Sequence, residues 1–471
     1  MLTRAGRTIR PSTTAPPIRQ VLADRRELVA AARERAQSPL SSVRHFAKTT
    51  PGRLVMICIV LALASLTSGW YASSVLERRT QTLQAMIDHT EPLAEASQVL
   101  YSSLSIADAA ANSAFISGGL ESPDLRTRYG DALATASESL VTAAGDAGQP
   151  GDNTSPEDRA LNADLNTLAT TIPVYSGLVE TARTNNRLGN PVGSAYLGEA
   201  SALMQSQILP AAQRLYKSRS MAISDPQSAL TVPPWGVYIG LLFVIVGLFA
   251  TSRYLARRTR RRFNLGVLLA LVAVVCGLIW LLVAGLMSVA ATDAAKNDGA
   301  DPLRQLTEAR ILTQQARSAE TLSLLRRGDQ NQQERIFSEA TDRIGAILAD
   351  LGKNAVDSSG SLSRPQVNAV TSGLEQWRSS DSQARAAIQV GDFARARTLT
   401  VGDTPQSSAT SYSNVDSALV DAITTTRNSF RDDINTAQRV LGFTGTGILA
   451  LTIFATVVLV LGLIPRIREY R

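Results

Sequence analysis

The chain has 471 residues, 45% of them apolar, a formal charge of +7, two cysteines and two histidines. So few cysteines exclude a disulfide-stapled scaffold, and His45 and His89 alone cannot build a His-rich metal centre. The basic balance would suit a nucleic-acid binder, but no aromatic or folded nucleic-acid module accompanies the arginines.

Residues 1–53 hold 11 Lys/Arg against 3 acids. Within them, Pro17–Ala36 reads as an amphipathic helix with Ile18, Val21, Leu22, Val29, Ala32 and Ala36 on one face. Its flanks are rich in Ser, Thr, Pro and Arg and read as disordered. Four almost purely apolar runs follow along the chain, Leu54–Ala72, Trp235–Ser252, Leu265–Ala290 and Val440–Ile464, none with Asp, Glu or Lys. Each approaches or exceeds the ~20 residues a helix needs to cross a bilayer. A polar segment of 53 residues precedes the first, which argues against a cleaved signal peptide. Cys58 and Cys276 both lie inside apolar runs and read as packing residues.

Between the second and third runs, residues 253–264 hold six arginines and no acid. Residues 466–471 hold 3 basic residues against 1 acid, whereas 73–234 hold 10 against 17 and 291–439 hold 17 against 19. Basic residues in short loops beside membrane helices stay cytoplasmic. The expected topology is therefore a multi-pass plasma-membrane protein with both termini and the arginine loop inside and the two long segments outside. Arg19, Arg25 and Arg26 of the tail and Arg257, Arg258, Arg260, Arg261 and Arg262 of the loop are the candidate contacts for anionic lipid or a cytoplasmic partner.

The two long segments share a plan. Glu91-Pro92-Leu93 answers Asp301-Pro302-Leu303, glycine turns follow at Ile116–Asp124 and Leu325–Gln330, and a bulky aromatic stands in each third block, Tyr175 and Trp377. Further glycine turns close those blocks at Arg187–Pro191 and Val390–Phe393. Four helical blocks per segment predict an up-down-up-down bundle. The fold class expected is all-α, an integral membrane protein with four transmembrane helices and two extracytoplasmic four-helix bundles in tandem duplication. Leu83, Met86, Thr90, Leu93, Ser97, Leu100, Leu104, Ala107, Ala111 and Ala114 mark a bundle seam at alternating three–four spacing. Pro92, Pro210 and Pro302 each start or kink a helix, and the prolines of Ser224–Trp235 break the path into the second apolar run.

No phosphate-binding glycine loop, metal-ligand spacing or nucleophile–base pair is legible, so no enzyme activity, cofactor or metal is expected. Apolar runs without acids or lysine speak against a charged-substrate transporter. A sensor or relay remains. An up-down bundle puts its first and third turns at one end. The candidate docking residues there are Glu121, Asp124, Arg187 and Asn190 in the first segment, and Arg326, Arg327, Asp329 and Asp392 in the second. Direct capture of a small anion by Arg126, Arg128, Arg326 and Arg327, and a non-signalling scaffold, are the alternatives.

Each segment also resembles the four-helix sensor domains of bacterial chemoreceptors and histidine kinases, through the turn "VGDFARARTLTVGD" (Val390–Asp403). With the tandem layout and "GSAYLGEASALMQSQILPAAQRLY" (Gly193–Tyr216), the chain resembles the GlnX family of actinobacterial membrane proteins. That resemblance implies a relay of amino-acid availability. An amino-acid-binding lipoprotein of the GlnH type engages the outside domains, and a cytoplasmic Ser/Thr kinase of the protein kinase G type is controlled inside. A homodimer is a further open expectation.

Overall fold

The structure is a computed structural model that describes residues 50–117, 121–145, 155–230, 232–259, 264–325, 330–355 and 362–468. The described residues are helical, with no β-strand. The elements are α1 (Thr50–Ala85), α2 (Glu91–Ser117), α3 (Pro123–Ala144), α4 (Pro156–Arg187), α5 (Val192–Leu203), α6 (Leu209–Leu230) and α7 (Trp235–Thr259). They continue as α8 (Leu265–Ala294), α9 (Asp301–Leu325), α10 (Gln330–Asn354), α11 (Arg364–Gln389), α12 (Phe393–Val401) and α13 (Ser408–Arg468). Three π-helical turns, Met86–Thr90, Met204–Ile208 and Ala295–Ala300, join α1 to α2, α5 to α6 and α8 to α9.

Each π turn is followed two residues on by a proline: Pro92, Pro210 and Pro302. Proline lacks the N–H that would bond the carbonyl four residues back, and its ring clashes with that carbonyl in a regular helix. One extra residue per turn moves the carbonyl aside, so the helix passes the proline without ending. The prolines read in the sequence as starts or kinks are thus continuous passages. The expected break before the second apolar run is present: α6 ends at Leu230 and α7 begins at Trp235.

Starts and stops follow local chemistry. Pro123 and Pro156 open α3 and α4, and Pro365 lies in the first turn of α11. Ser155 with Asp158, and Ser363 with Gln366, form capping boxes. On α6, Arg219 donates to the carbonyls of Ala143 (3.0 Å) and Ala144 (3.2 Å), closing the C-terminus of α3.

Among the described residues four helical stretches are long and apolar enough to cross a membrane: Gly52–Ile116, Trp235–Arg257, Leu265–Leu324 and Ser408–Pro465. The chain divides into two compact units. One gathers the apolar residues (the described part of Met1–Ala72, with Gly236–Ile279 and the described part of Gly447–Arg471). Its helices meet at small residues. The backbones of Gly266 and Gly462 touch, Asn264 Nδ2 donates to the Gly462 carbonyl (3.2 Å), and Ser65 Oγ to that of Thr452 (3.5 Å). Ile239, Phe243 and Phe454 point outward, an apolar exterior suited to lipid.

The other unit, Ser73–Trp235 with Trp280–Thr446, has two hydrophobic cores. The first is built from α2, α3, α4 and α5–α6 around Leu100, Leu104, Leu168, Tyr175, Met204 and Ile208. The second is built from α9, α10, α11 and α13 around Ile344, Val370, Trp377, Val415 and Leu419. Ile311 of α9 packs into the first core, so the two meet along α2 and α9. Of the expected seam, Leu83, Met86, Ser97, Leu100, Leu104, Ala107, Ala111 and Ala114 are buried. Thr90 and Leu93 flank the end of the π turn and are only partly covered, because the extra residue there rotates the helix face.

Candidate functional site

The two cores repeat one construction. In the first, Tyr175 on α4 is fully buried and its hydroxyl donates to Asp108 Oδ1 of α2 (3.4 Å). In the second, Trp377 on α11 is fully buried and its Nε1 donates to Glu320 Oε2 of α9 (3.3 Å). Eight residues beyond each aromatic stands an arginine lying over a ring of the core's second helix. Arg183 is 4.2 Å from the Tyr129 ring centre and Arg385 is 5.8 Å from that of Phe337. Each arginine then pairs with two carboxylates, Arg183 with Glu121 and Glu180, Arg385 with Glu334 and Asp381.

Asp108 sits where α2 meets α9. Besides Tyr175 it accepts from Ser201 Oγ (3.0 Å), Gln205 Nε2 (3.3 Å) and Ser318 Oγ of α9 (3.4 Å). Among the described residues no cation pairs with it, and burial raises its pKa against the opposing pull of these hydrogen bonds. Beside it Gln205 Nε2 also donates to Ser318 Oγ (2.8 Å), and Gln315 Nε2 donates to Tyr101 Oη (3.1 Å). The contact between the cores is therefore polar and specific in register rather than a greasy face.

Glu320 is held differently. Arg317, one turn earlier, pairs with it at 2.7 Å and donates to the Thr400 carbonyl (3.1 Å), while Ser408 also donates to the carboxylate. Asp381 lies nearby, and its pKa is pushed up to about 7, first by burial and then by the charge of Glu320, with Arg385 opposing. Glu320, Glu334, Asp381 and Arg385 line a cavity of about 110 Å³.

Two larger cavities flank the crossing of α2 and α9. One, about 300 Å³, lies between α2–α3 and the segment from Arg317 of α9 through Val401, Asp403 and Tyr412. The other, about 310 Å³, lies between α9–α10 and the α5–α6 passage, and among the described residues no charged side chain lines it. Each combines the first two helices of one core with the later helices of the other.

The expected docking residues fall as follows. At this end of the first core Glu121 pairs with Arg183, near the end of α4, at 2.9 Å, and Phe115 of α2 reaches Gly193 of α5. That pairing turns Glu121 inward, leaving its side chain 11% exposed. Asp124, Arg187, Asn190 and Asp392 are exposed. Asn190 donates to Asn185 Oδ1 (3.2 Å), and Asp392 caps α12 by accepting from the Arg395 N–H (3.0 Å). Arg257 is exposed near the end of α7, a helix that also includes Arg258. Arg19, Arg25, Arg26, Arg260, Arg261, Arg262, Arg326, Arg327 and Asp329 lie outside the described residues.

Sequence reasoning singled out no buried carboxylate, and so missed Asp108, Glu320 and Asp381 and the burial of Glu91. A signal was present. Asp108 follows Leu104 by four residues on the apolar face of α2, and Glu320 follows Ala316 by four on α9. Glu91 is buried between Arg427 Nε (3.1 Å) and Arg431 of α13, whereas its counterpart Asp301 pairs with Arg304 at 3.7 Å and stays half-exposed. Among the described residues no group of His, Cys, Asp and Glu is placed to hold a metal ion.

Residues 82–228 match the family model of the actinobacterial sensor domain, a stretch that runs from the end of α1 to the end of α6 and contains the first core. No curated protein and no solved structure matches the chain. Over that stretch the chain is similar to an actinobacterial sensor domain, and its described residues include four helices of membrane-spanning length.

Proposed function

We propose that the chain is a transmembrane relay that reports amino-acid availability, taking its input from an extracytoplasmic solute-binding lipoprotein and passing it to a cytoplasmic Ser/Thr kinase. The observation that carries the sensor part is the sensor-domain match over residues 82–228, on a helical stretch, Gly52–Ile116, that is also long and apolar enough to span a membrane. The equal eight-residue step from Tyr175 to Arg183 and from Trp377 to Arg385, with the same ring contacts, supports a tandem duplication of that domain. The arginine-rich residues 253–264 support an orientation with both termini in the cytoplasm and both sensor domains outside.

The lipoprotein (GlnH type) and kinase (protein kinase G type) arms rest on the resemblance to the GlnX family. The third turns suit a docking role: Leu188 and Val390 stand 71% and 81% exposed before the glycines, beside Arg187 and Asp392. A crosslinking pull-down from native membranes, with and without aspartate, glutamate and glutamine, tests the whole. Capture of both a solute-binding lipoprotein and a Ser/Thr kinase, changed by the amino acid, is the expected result. Capture of neither overturns it.

A further inference from the structure

The two cavities beside the α2–α9 crossing are built alike but furnished differently, and the difference points to a ligand. Around the neutral one stand amides and hydroxyls. Around the other stand Asp124 and Arg128 from α3, Asp403 from the loop before α13, and the paired Arg317. Arg317 is already neutralised by Glu320. Among the described residues Arg128 pairs with no carboxylate and Asp124 and Asp403 pair with no cation; all three residues are exposed, so their charges face water where no ligand is bound. The nearly buried Tyr412 lines the same cavity, and its ring takes the edge of Trp377. Ile106, Ala109, Ala110 and Leu125 supply an apolar wall.

Three unpaired charges of both signs around about 300 Å³ of space do not suit a simple anion, which Asp124 and Asp403 would repel. They do not suit a simple amine either, which would leave Arg128 uncompensated. A metal ion would add positive charge beside the already unpaired Arg128, and among the described residues no group of His, Cys, Asp and Glu is placed to hold one. A molecule carrying a carboxylate and an ammonium group answers all of them, and a space of this size is that of a small-molecule pocket.

We propose that this cavity binds a free α-amino acid, its carboxylate on Arg128, its ammonium group between Asp124 and Asp403, and its side chain on the Ile106–Leu125 wall. The unpaired groups sum to one excess negative charge, so the site favours neutral and cationic side chains over aspartate and glutamate. The bound molecule bridges α3 of one core and the loop before α13 of the other, holding the two together at the crossing. This goes beyond the relay reading, because the chain itself reads the ligand.

The test is calorimetric titration of the purified full chain in lipid nanodiscs with each of the common α-amino acids, without any partner protein. The outcome is therefore independent of whether a lipoprotein or kinase engages the chain. Saturable binding of at least one neutral or cationic amino acid is expected. Analogues lacking only the amine or only the carboxylate should bind at least about tenfold more weakly, as should Arg128→Gln and Asp403→Asn with melting points near wild type. Gln333→Ala, in the neutral cavity, should bind as wild type. No saturation by any amino acid, equal binding of a truncated analogue, or undiminished binding by Arg128→Gln overturns the proposal. Should a variant unfold, the analogue series decides alone.

Discussion

Asp381 shows how burial and a neighbour's charge make one residue respond to pH. Its carboxyl is held among Glu320, Glu334 and Arg385, and the single nearby cation, Arg385 Nη2 at 2.6 Å, does not outweigh the loss of water. The pKa of about 7 in the folded chain lies well above the 3.8 of a free aspartate. Between these values the folded state holds a proton that the unfolded chain has released. Stability therefore falls as pH rises from about 4 to 7, and levels off above, with a slope of up to about 1.4 kcal/mol per pH unit. Asp108, raised by burial, adds a slope of the same sign. Thermal unfolding between pH 4.5 and 8, by circular dichroism, should show Asp381→Asn with a flatter profile and a higher midpoint at the alkaline end (about one pH unit above the pKa). An unchanged profile would mean that Asp381 is ionised throughout.

At the scale of elements, the turns after α4 and α11 share one design. In the first, Asn190 N–H bonds the Asn185 carbonyl (2.9 Å) and Gly189 N–H that of Asn186 (3.0 Å). In the second, Asp392 bonds Ala387 (2.9 Å) and Gly391 bonds Ile388 (3.0 Å). Both glycines are left-handed, φ +72° and +79°. Around Gly391 a Cβ would meet nothing within 4 Å, so only backbone strain opposes a side chain. Gly391→Ala should cost about 1–2 kcal/mol and Gly391→Asn clearly less, read as shifts in the unfolding midpoint. Equal costs would place the penalty in packing instead. These turns were legible because glycine announces left-handed backbone. The π turns were not: proline marks where a helix is perturbed, but a single inserted residue leaves three–four spacing intact to the eye. Buried carboxylates were hidden for a related reason, since an acid on an alanine-rich face reads as solvent exposure until a second helix covers it.

For the whole molecule, the sequence's two halves announce a repeat, while the structure shows where the halves have parted. Four apolar helices and the helical character of the described residues follow directly from hydropathy runs and helix-forming composition. The meeting of the two cores does not, because it is made by side chains far apart in sequence, 210 residues between Asp108 and Ser318 and 340 between Glu91 and Arg431. The acid-Pro-Leu signature is the sharpest case. Glu91 and Asp301 occupy matching places, each just after a π turn, yet Glu91 is 3% exposed between Arg427 and Arg431, and Asp301 is 46% exposed beside Arg304. Removing a buried partner leaves charge behind without water or counter-ion, whereas a solvated pair contributes little. Glu91→Ala should therefore lower stability by about 3 kcal/mol, with Glu95 still pairing both arginines and limiting the loss. Asp301→Ala should cost less than about 1 kcal/mol. Adding Glu95→Ala to Glu91→Ala should cost more than it does alone, because the two acids share the same guanidinium groups. Equal losses for Glu91→Ala and Asp301→Ala would show that the clamp on α13 does not hold, and that the cores are joined at the Asp108 crossing alone.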